Sequence, residues 1–447
     1  MLVAPIQSNA ERAAKATPIH LLRRDEPLPE HAQRTAELAQ FSGELDQVCP
    51  FSGGVLVGAG DGSDPLALGA ASMRLPAGDY TLAASPNGMS RDLCLLGFAL
   101  GAYRYTRYRE APAPPVLLVE DADEAERISR EAASAALGRD LINTPAEDMG
   151  PDALEGAVAD LAEAHGADFR VFKGEGFDAQ FPLIHAVGRA ADQEPRLMEL
   201  QWSGGAGPAL ALIGKGVCFD SGGLNLKPGK AMGLMKKDMG GAGTAIALAR
   251  RIMEEQLPIN LRLLIPAVEN AISGNAFRPG DVFRARDGQT VEISNTDAEG
   301  RLILADALAL AAEGAPDRLI TLATLTGAAR VALGPDLPPI YSTEPGFQDR
   351  VIQAGNDVAD PLWPMPFWER YESYLRSDIA DVNHAADTPF AGSITAALFL
   401  KRFAADIPYT HIDTFAWMPS ARPGRPKGGE VLTMRALFAA LREEIVA

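Results

Sequence analysis

From about residue 116 onward, apolar runs of strand length alternate with stretches of helical period, and few architectures accommodate that alternation. FRVFKGE (169–175), RLMELQW (196–202), ALALIG (209–214), LRLLIPAVE (261–269), TVEIS (290–294), RLITLATL (318–325) and YTHIDT (409–414) read as strands. Helical patterns lie between them at 152–165, 241–256, 301–313 and 389–405, with another at 432–445. The pattern predicts an α/β fold with a mostly parallel central sheet flanked by helices. Ligands of such sheets bind beyond the carboxyl ends of strands, so those loops are where chemistry is expected.

The first 115 residues are less regular. VLVGAG (55–60) and YTLAAS (80–85) read as strands and LCLLGFALGAYRY (93–105) as a buried helix. DADEAERISREAASAALGRDLIN (121–143) is one long helical pattern that could join two halves. The expected organisation is a smaller N-terminal α/β domain over 1–120, a connecting helix over 121–143 and a larger C-terminal domain over 144–447. SARPGRPKGGE (420–430) reads as a loop.

Charge narrows the partners. With 59 Asp and Glu against 41 Lys and Arg, the formal charge is −18, and no basic run offsets it. Such a surface argues against nucleic acid and anionic membranes. No uncharged run reaches the roughly 18–20 residues of a membrane helix. The opening MLVAPIQSNAERAAKATPIH lacks the basic start and apolar run of a secretory signal, so a cytoplasmic location is expected. Three cysteines (Cys49, Cys94, Cys218) without a C-x-x-C pair argue against a disulfide scaffold and a cysteine zinc site.

H-E-x-x-H, G-x-S-x-G and the phosphate-binding glycine loops are absent, and the six histidines are scattered; none is assigned to a site. Carboxylates at strand ends carry more. ALALIGKGVCFDSGGLNLKPG starts as a strand and breaks into a glycine-rich loop with Lys215, Asp220 and Lys227. Asp238 follows just before a helix opens, and Asp297, Glu299 and Arg301 stand where TVEIS gives way to an apolar helix. Singly, each has a plain structural reading: Asp297 a cap, Asp220 a turn former, the lysines surface charges. Together, two loops leaving expected parallel strands supply four carboxylates, which repel one another unless cations sit among them. Two divalent ions would neutralise the set and leave room for an activated water, an arrangement used in hydrolysis. These residues alone leave peptide and phosphate substrates open.

NTDAEGR (295–301) resembles the signature of the leucyl aminopeptidase family of dinuclear metallopeptidases, peptidase family M17. GKGVCFDSGGLNLKP (214–228), MKKDMGGAGT (235–244) and ATLTGA (323–328) match its other blocks in order, and NTPAEDMGP (143–151) and AGSITAALFLKRF (391–403) extend the likeness. The resemblance implies a metal-dependent aminopeptidase that removes leucine-like N-terminal residues, with the catalytic domain at the C-terminal end. It implies two divalent ions per subunit, Mn2+ or Zn2+, bridged by Asp220 and Glu299; Lys215 and Asp238 would complete one site and Asp297 the other. It further implies Lys227 as the electrophile that stabilises the oxyanion. Arg301 would hold a bicarbonate that serves as general base toward the metal-activated water. Met235 and Thr324 would lie near the side-chain pocket, Leu325 and Gly327 would contact substrate through the backbone, and Asn295 belongs with these substrate-side positions. Peptides with a free N-terminus would be the substrates and a homohexamer the assembly. The chain departs from the family pattern in a shorter N-terminal domain than the larger members have and in SARPGRPKGGE near the pocket. A dinuclear phosphoesterase would want more cationic groups than Lys227 and Arg301. A non-catalytic DNA-binding relative should show substitutions in the ligand set, whereas all seven residues are present.

Overall fold

The computed structural model describes residues 4–446; residues 1–3 and 447, at the outer ends of the two expected domains, lie outside the described residues. Two compact units emerge, Met1–Ala136 with Met418–Gly428, and Leu137–Trp417 with Gly429–Ala447. The helix Ala122–Asn143 runs through the point of division. The segment Met418–Gly428, read from sequence with the C-terminal domain, groups with the first unit.

The first unit is built on a six-stranded sheet in the order Ile6–Ser8, Val116–Val119, Asp79–Ala84, Thr17–Leu22, Gly54–Gly58, Val48–Phe51. Every neighbouring pair is parallel except the last. The sequence suggested only two strands before residue 116: Ile6–Ser8 and Val48–Phe51, of three and four residues, are too short to show a period, and the six-residue Thr17–Leu22 has its apolar run broken by Pro18 and His20.

The second unit holds nine strands that share one sheet: β1 Asp168–Phe172, β2 Arg196–Ser203, β3 Ala209–Gly214, β4 Gly216–Asp220, β5 Asn260–Asn270, β6 Arg318–Ala323, β7 Pro339–Ser342, β8 Trp363–Pro364 and β9 Tyr409–Asp413. Their order is β8-β7-β9-β6-β3-β5-β2-β1, with β4 paired to β5 beside this path. The centre is parallel: β3 pairs in that sense with β5 and β6, β6 with β9, and β4 with β5. Helices α1 Gly240–Glu254 and α2 Glu299–Glu313 cover it. Successive strand residues point to opposite faces. Ile213 joins the apolar cluster that includes Leu302, Ile303 and Leu308 of α2, whereas a Cβ on Gly214 would meet Ala242 of α1 at 2.7 Å. The two helices therefore lie on opposite faces. Burial of α2 nearly all round, as its apolar sequence suggested, holds its N-terminus firmly. Among the described residues no helix is long and apolar enough to cross a membrane.

One expectation fails. TVEIS does not enter the main sheet: Thr290–Glu292 pairs antiparallel with Val282–Arg284 and parallel with Val382–Asn383 in a separate three-stranded sheet. A three-residue strand carries too little pattern to specify its partner, so Asp297 and Glu299 reach the site from a side ribbon and not from a central strand.

Candidate metal centre

Five short junctions bring the site together. Lys215 occupies the single position between β3 and β4, and Asp220 is the last residue of β4. Lys227 follows in the loop, Asp238 lies in the 3-10 turn Met235–Met239 that leads into α1, and Asp297 lies in the turn Thr296–Ala298. Glu299 is the first residue of α2, where the helix macrodipole favours a negative charge. The glycines of these motifs have steric reasons. A Cβ on Gly300 would stand 2.5 Å from Lys215 Cε, so only glycine lets that lysine pass. Gly222 has φ +87°, and its Cβ would lie 2.8 Å from Asp297 Oδ1.

Two lysines clasp four carboxylates. Lys215 Nζ lies 2.8 Å from Asp238 Oδ2 and 2.9 Å from Glu299 Oε1, and donates to the Thr324 carbonyl at 2.8 Å. Lys227 Nζ lies 2.7 Å from Asp220 Oδ2 and 2.5 Å from Asp297 Oδ1. Asp220 Oδ1 accepts from the Gly222 amide and from Asn270 Nδ2, both at 2.9 Å, and Thr324 Oγ1 donates to Asp238 Oδ1 at 2.9 Å. One carboxylate oxygen from each of Asp220, Asp297 and Glu299 falls within 4.8 Å of the others.

Two ammonium ions are too little positive charge for this cage. Burial, with the neighbouring charges of Glu299 and Asp238, pushes the Asp220 carboxyl up to about 8. Burial likewise raises Asp238 and Asp297. Burial would raise Glu299 too, but the charges of Lys215 and Lys227 outweigh it and hold that carboxyl below its ordinary value. For Lys215 and Lys227 burial favours the neutral amine, yet the surrounding carboxylates raise both. Glu299 Oε2 is buried without a hydrogen-bond donor, and Asp238 Oδ2 and Asp297 Oδ1 face lysines without hydrogen-bond alignment. Hard oxygen donors, inward-facing and short of positive charge, are what a divalent cation requires, so the residues fit metal ions.

The cage opens on a cavity of about 510 Å³, whose walls include Met235, Thr324, Leu325 and Gly327. Arg301 and Asn295 do not line it. Arg301 is buried and donates from Nη1 to the His384 carbonyl at 2.8 Å, while its Nε has no hydrogen-bond partner; burial lowers the guanidinium to about 10. Asn295 is exposed and caps the turn that carries Asp297, accepting from the Asp297 amide at 2.9 Å. His384, left unassigned in the sequence, holds that junction: its Nε2 donates to the Asn295 carbonyl at 2.9 Å and its Nδ1 accepts from the Ser294 amide at 3.3 Å.

Three further polar residues belong to the site. Asn270 orients Asp220, and Asp413 braces the loop after β6, accepting from the Leu325 and Thr326 amides at 2.9 and 3.1 Å. Each is the last residue of its strand, β5 and β9, so a search for polar residues at strand ends would have found both. Lys237 is buried in the cavity wall, and nothing in MKKDM separates it from its neighbour Lys236, which instead donates to the Asn143 carbonyl at 2.6 Å.

Residues 136–438 match the cytosol aminopeptidase family, catalytic domain, and residues 26–119 match the M17 aminopeptidase, N-terminal domain. The "Probable cytosol aminopeptidase" of Syntrophotalea carbinolica is 39% identical over 368 residues, spanning 78% of this chain and 74% of that protein. That of Roseiflexus castenholzii is 38% identical over 367 residues, or 78% and 75% of the two chains. Among solved structures, the cytosol aminopeptidase from Coxiella burnetii superposes with a TM-score of 0.93 at 41% identity, covering 99% of this chain and 100% of that one. The bottromycin maturation enzyme BotP in complex with Mn superposes with a TM-score of 0.88 at 29% identity, covering 99% and 100%.

Proposed function

The chain belongs to the cytosol aminopeptidase family and is a metal-dependent aminopeptidase, and from that premise we propose that it releases single leucine-like residues from peptides with a free N-terminus in the cytoplasm. The observation that carries this reading is the cage of four carboxylates and two lysines at the wall of one cavity. Asp220 and Glu299 would be shared by two divalent ions, Lys215 and Asp238 would complete one site, and Asp297 the other. Manganese and zinc both suit the donor set. When bound, such ions polarise a peptide carbonyl and make a water acidic enough to act as nucleophile.

The chain's own residues supply the rest. Lys215 would ligate as a neutral amine, losing its proton once dications replace the ion pairs it now makes. Lys227 keeps its proton and offers positive charge to the carbonyl oxygen as the tetrahedral intermediate forms. Arg301, anchored through Nη1 with Nε unpaired, would hold bicarbonate, and bicarbonate when bound supplies a general base. Asn295 acts on substrate indirectly, by fixing the turn of Asp297. Met235 and Thr324 would face the side chain of the departing residue, with Leu325 and Gly327 contacting its backbone. A homohexamer is the proposed assembly.

The free α-amine of a peptide would ligate one of the ions, and acetylation abolishes that donor. Leucyl peptides are therefore expected to turn over and their N-acetyl forms to be inert, as measured by release of free leucine. Equal rates on blocked and free peptides would sink this specificity while leaving a metal hydrolase.

A further inference from the structure

Beyond the metal cage, the cavity wall carries positive charge that its proposed chemistry does not use. Lys237 is 5% exposed, and among the described residues its side chain makes no hydrogen bond or ion pair. Its one contact of note is the Phe415 ring, 4.8 Å from Nζ to the centroid. The carboxylates around it are engaged elsewhere. Asp238 is held by Lys215 and Thr324, and Asp413 by the Leu325 and Thr326 amides and the Thr326 hydroxyl. Arg330, exposed on the same cavity wall, has its guanidinium carbon 5.1 Å from the same Phe415 centroid, and it too has no ion pair among the described residues. An aromatic face compensates a buried ammonium only in part, and an unpaired buried charge is otherwise costly. A wall that keeps such a group facing a cavity is built to receive an anion.

Resting on the aminopeptidase reading, we propose that Lys237, with Arg330 beside Phe415, forms a subsite for a carboxylate of the peptide substrate. Two sources share that chemistry: an acidic N-terminal side chain, or the C-terminal carboxylate of a dipeptide. The apolar wall at Met235 and Leu325 serves a leucine-like side chain, so the second source is compatible with leucine in first place.

The test measures kcat/KM of the metal-loaded enzyme on two isosteric pairs: glutamyl against glutaminyl p-nitroanilide, and Leu-Leu against Leu-Leu-amide. A hydrogen-bonded charge pair corresponds to roughly 10- to 100-fold, so one pair should favour its carboxylate member by about 10-fold or more. The pair that does so identifies the source. Lys237→Met should bring that ratio near one, and Lys237→Arg should keep it; taking ratios within each protein cancels any general loss of activity. Inhibition constants of free glutamate against glutamine, and of Leu-Leu against its amide in competition with a neutral substrate, should follow the same ratios. Wild-type ratios near one in both pairs, which need no variant, would overturn the subsite while leaving the aminopeptidase intact. An unchanged ratio in Lys237→Met would overturn it equally. Failure to hydrolyse even the neutral members would overturn the reading on which it rests.

Discussion

Asp220→Ala and Glu299→Ala should each yield a protein that holds fewer divalent ions than the parent and has lost peptide hydrolysis. Each removes a carboxylate that would serve both ions, so the loss of metal affinity should exceed the roughly 10- to 100-fold typical of a partner that merely orients a ligand. Glu299 has a second role in the protein without metal, because Lys215 rests on it at 2.9 Å. Asp238 still faces Lys215 at 2.8 Å in Glu299→Ala, so the cost should be only part of the about 3–5 kcal/mol of a fully broken buried pair, and the variant should unfold at somewhat lower temperature than the metal-free parent. Glu299→Gln, which keeps the shape, separates the effects: it should recover part of the stability without recovering activity. Metal analysis beside thermal unfolding and kinetics checks all three, and full metal content with wild-type kcat in Asp220→Ala would refute the assignment.

Lys227→Ala should behave differently in kind. Its ammonium pairs with Asp220 and Asp297 at the cavity wall, and it would not serve as a metal ligand. Its loss should fall on kcat by roughly 10²–10³, the range found when a group aimed at a developing oxyanion is removed, with KM changed far less. Metal content should stay at the parent level. Arg301→Ala should be milder where water or a buffer anion can take over the general base, and any stimulation by bicarbonate should weaken. A Lys227→Ala protein that lost its metal, or kept wild-type kcat, would show that this division of labour is wrong.

Six strands of the second unit's sheet were readable because each is an apolar run of five residues or more; β7 and β8, of four and two residues, and β4, which follows β3 after a single residue, escaped notice. Shorter pieces were not: Ile6–Ser8 and Val48–Phe51 left no periodic trace, and Thr290–Glu292 looked like a central strand although its partners are Val282–Arg284 and Val382–Asn383. At the site, the acidic residues stood out because they cluster at element junctions, where backbone amides and helix ends turn toward a ligand. What sequence could not convey was who touches whom. Gly300 matters because Lys215 passes it, and Lys237 differs from Lys236 only in which side of a 3-10 turn it occupies. His384 works through one backbone carbonyl and one backbone amide, a role that no spacing rule encodes.

Two lysines leave the cage short of positive charge, and two divalent ions should complete it. Stepwise titration of the metal-free protein with Mn2+ or Zn2+, with bound metal and leucyl-peptide hydrolysis measured on the same samples, tests it most directly. Negligible hydrolysis without metal and full hydrolysis only as the second equivalent per chain binds is the result predicted; full hydrolysis at one equivalent, or without any, would contradict it.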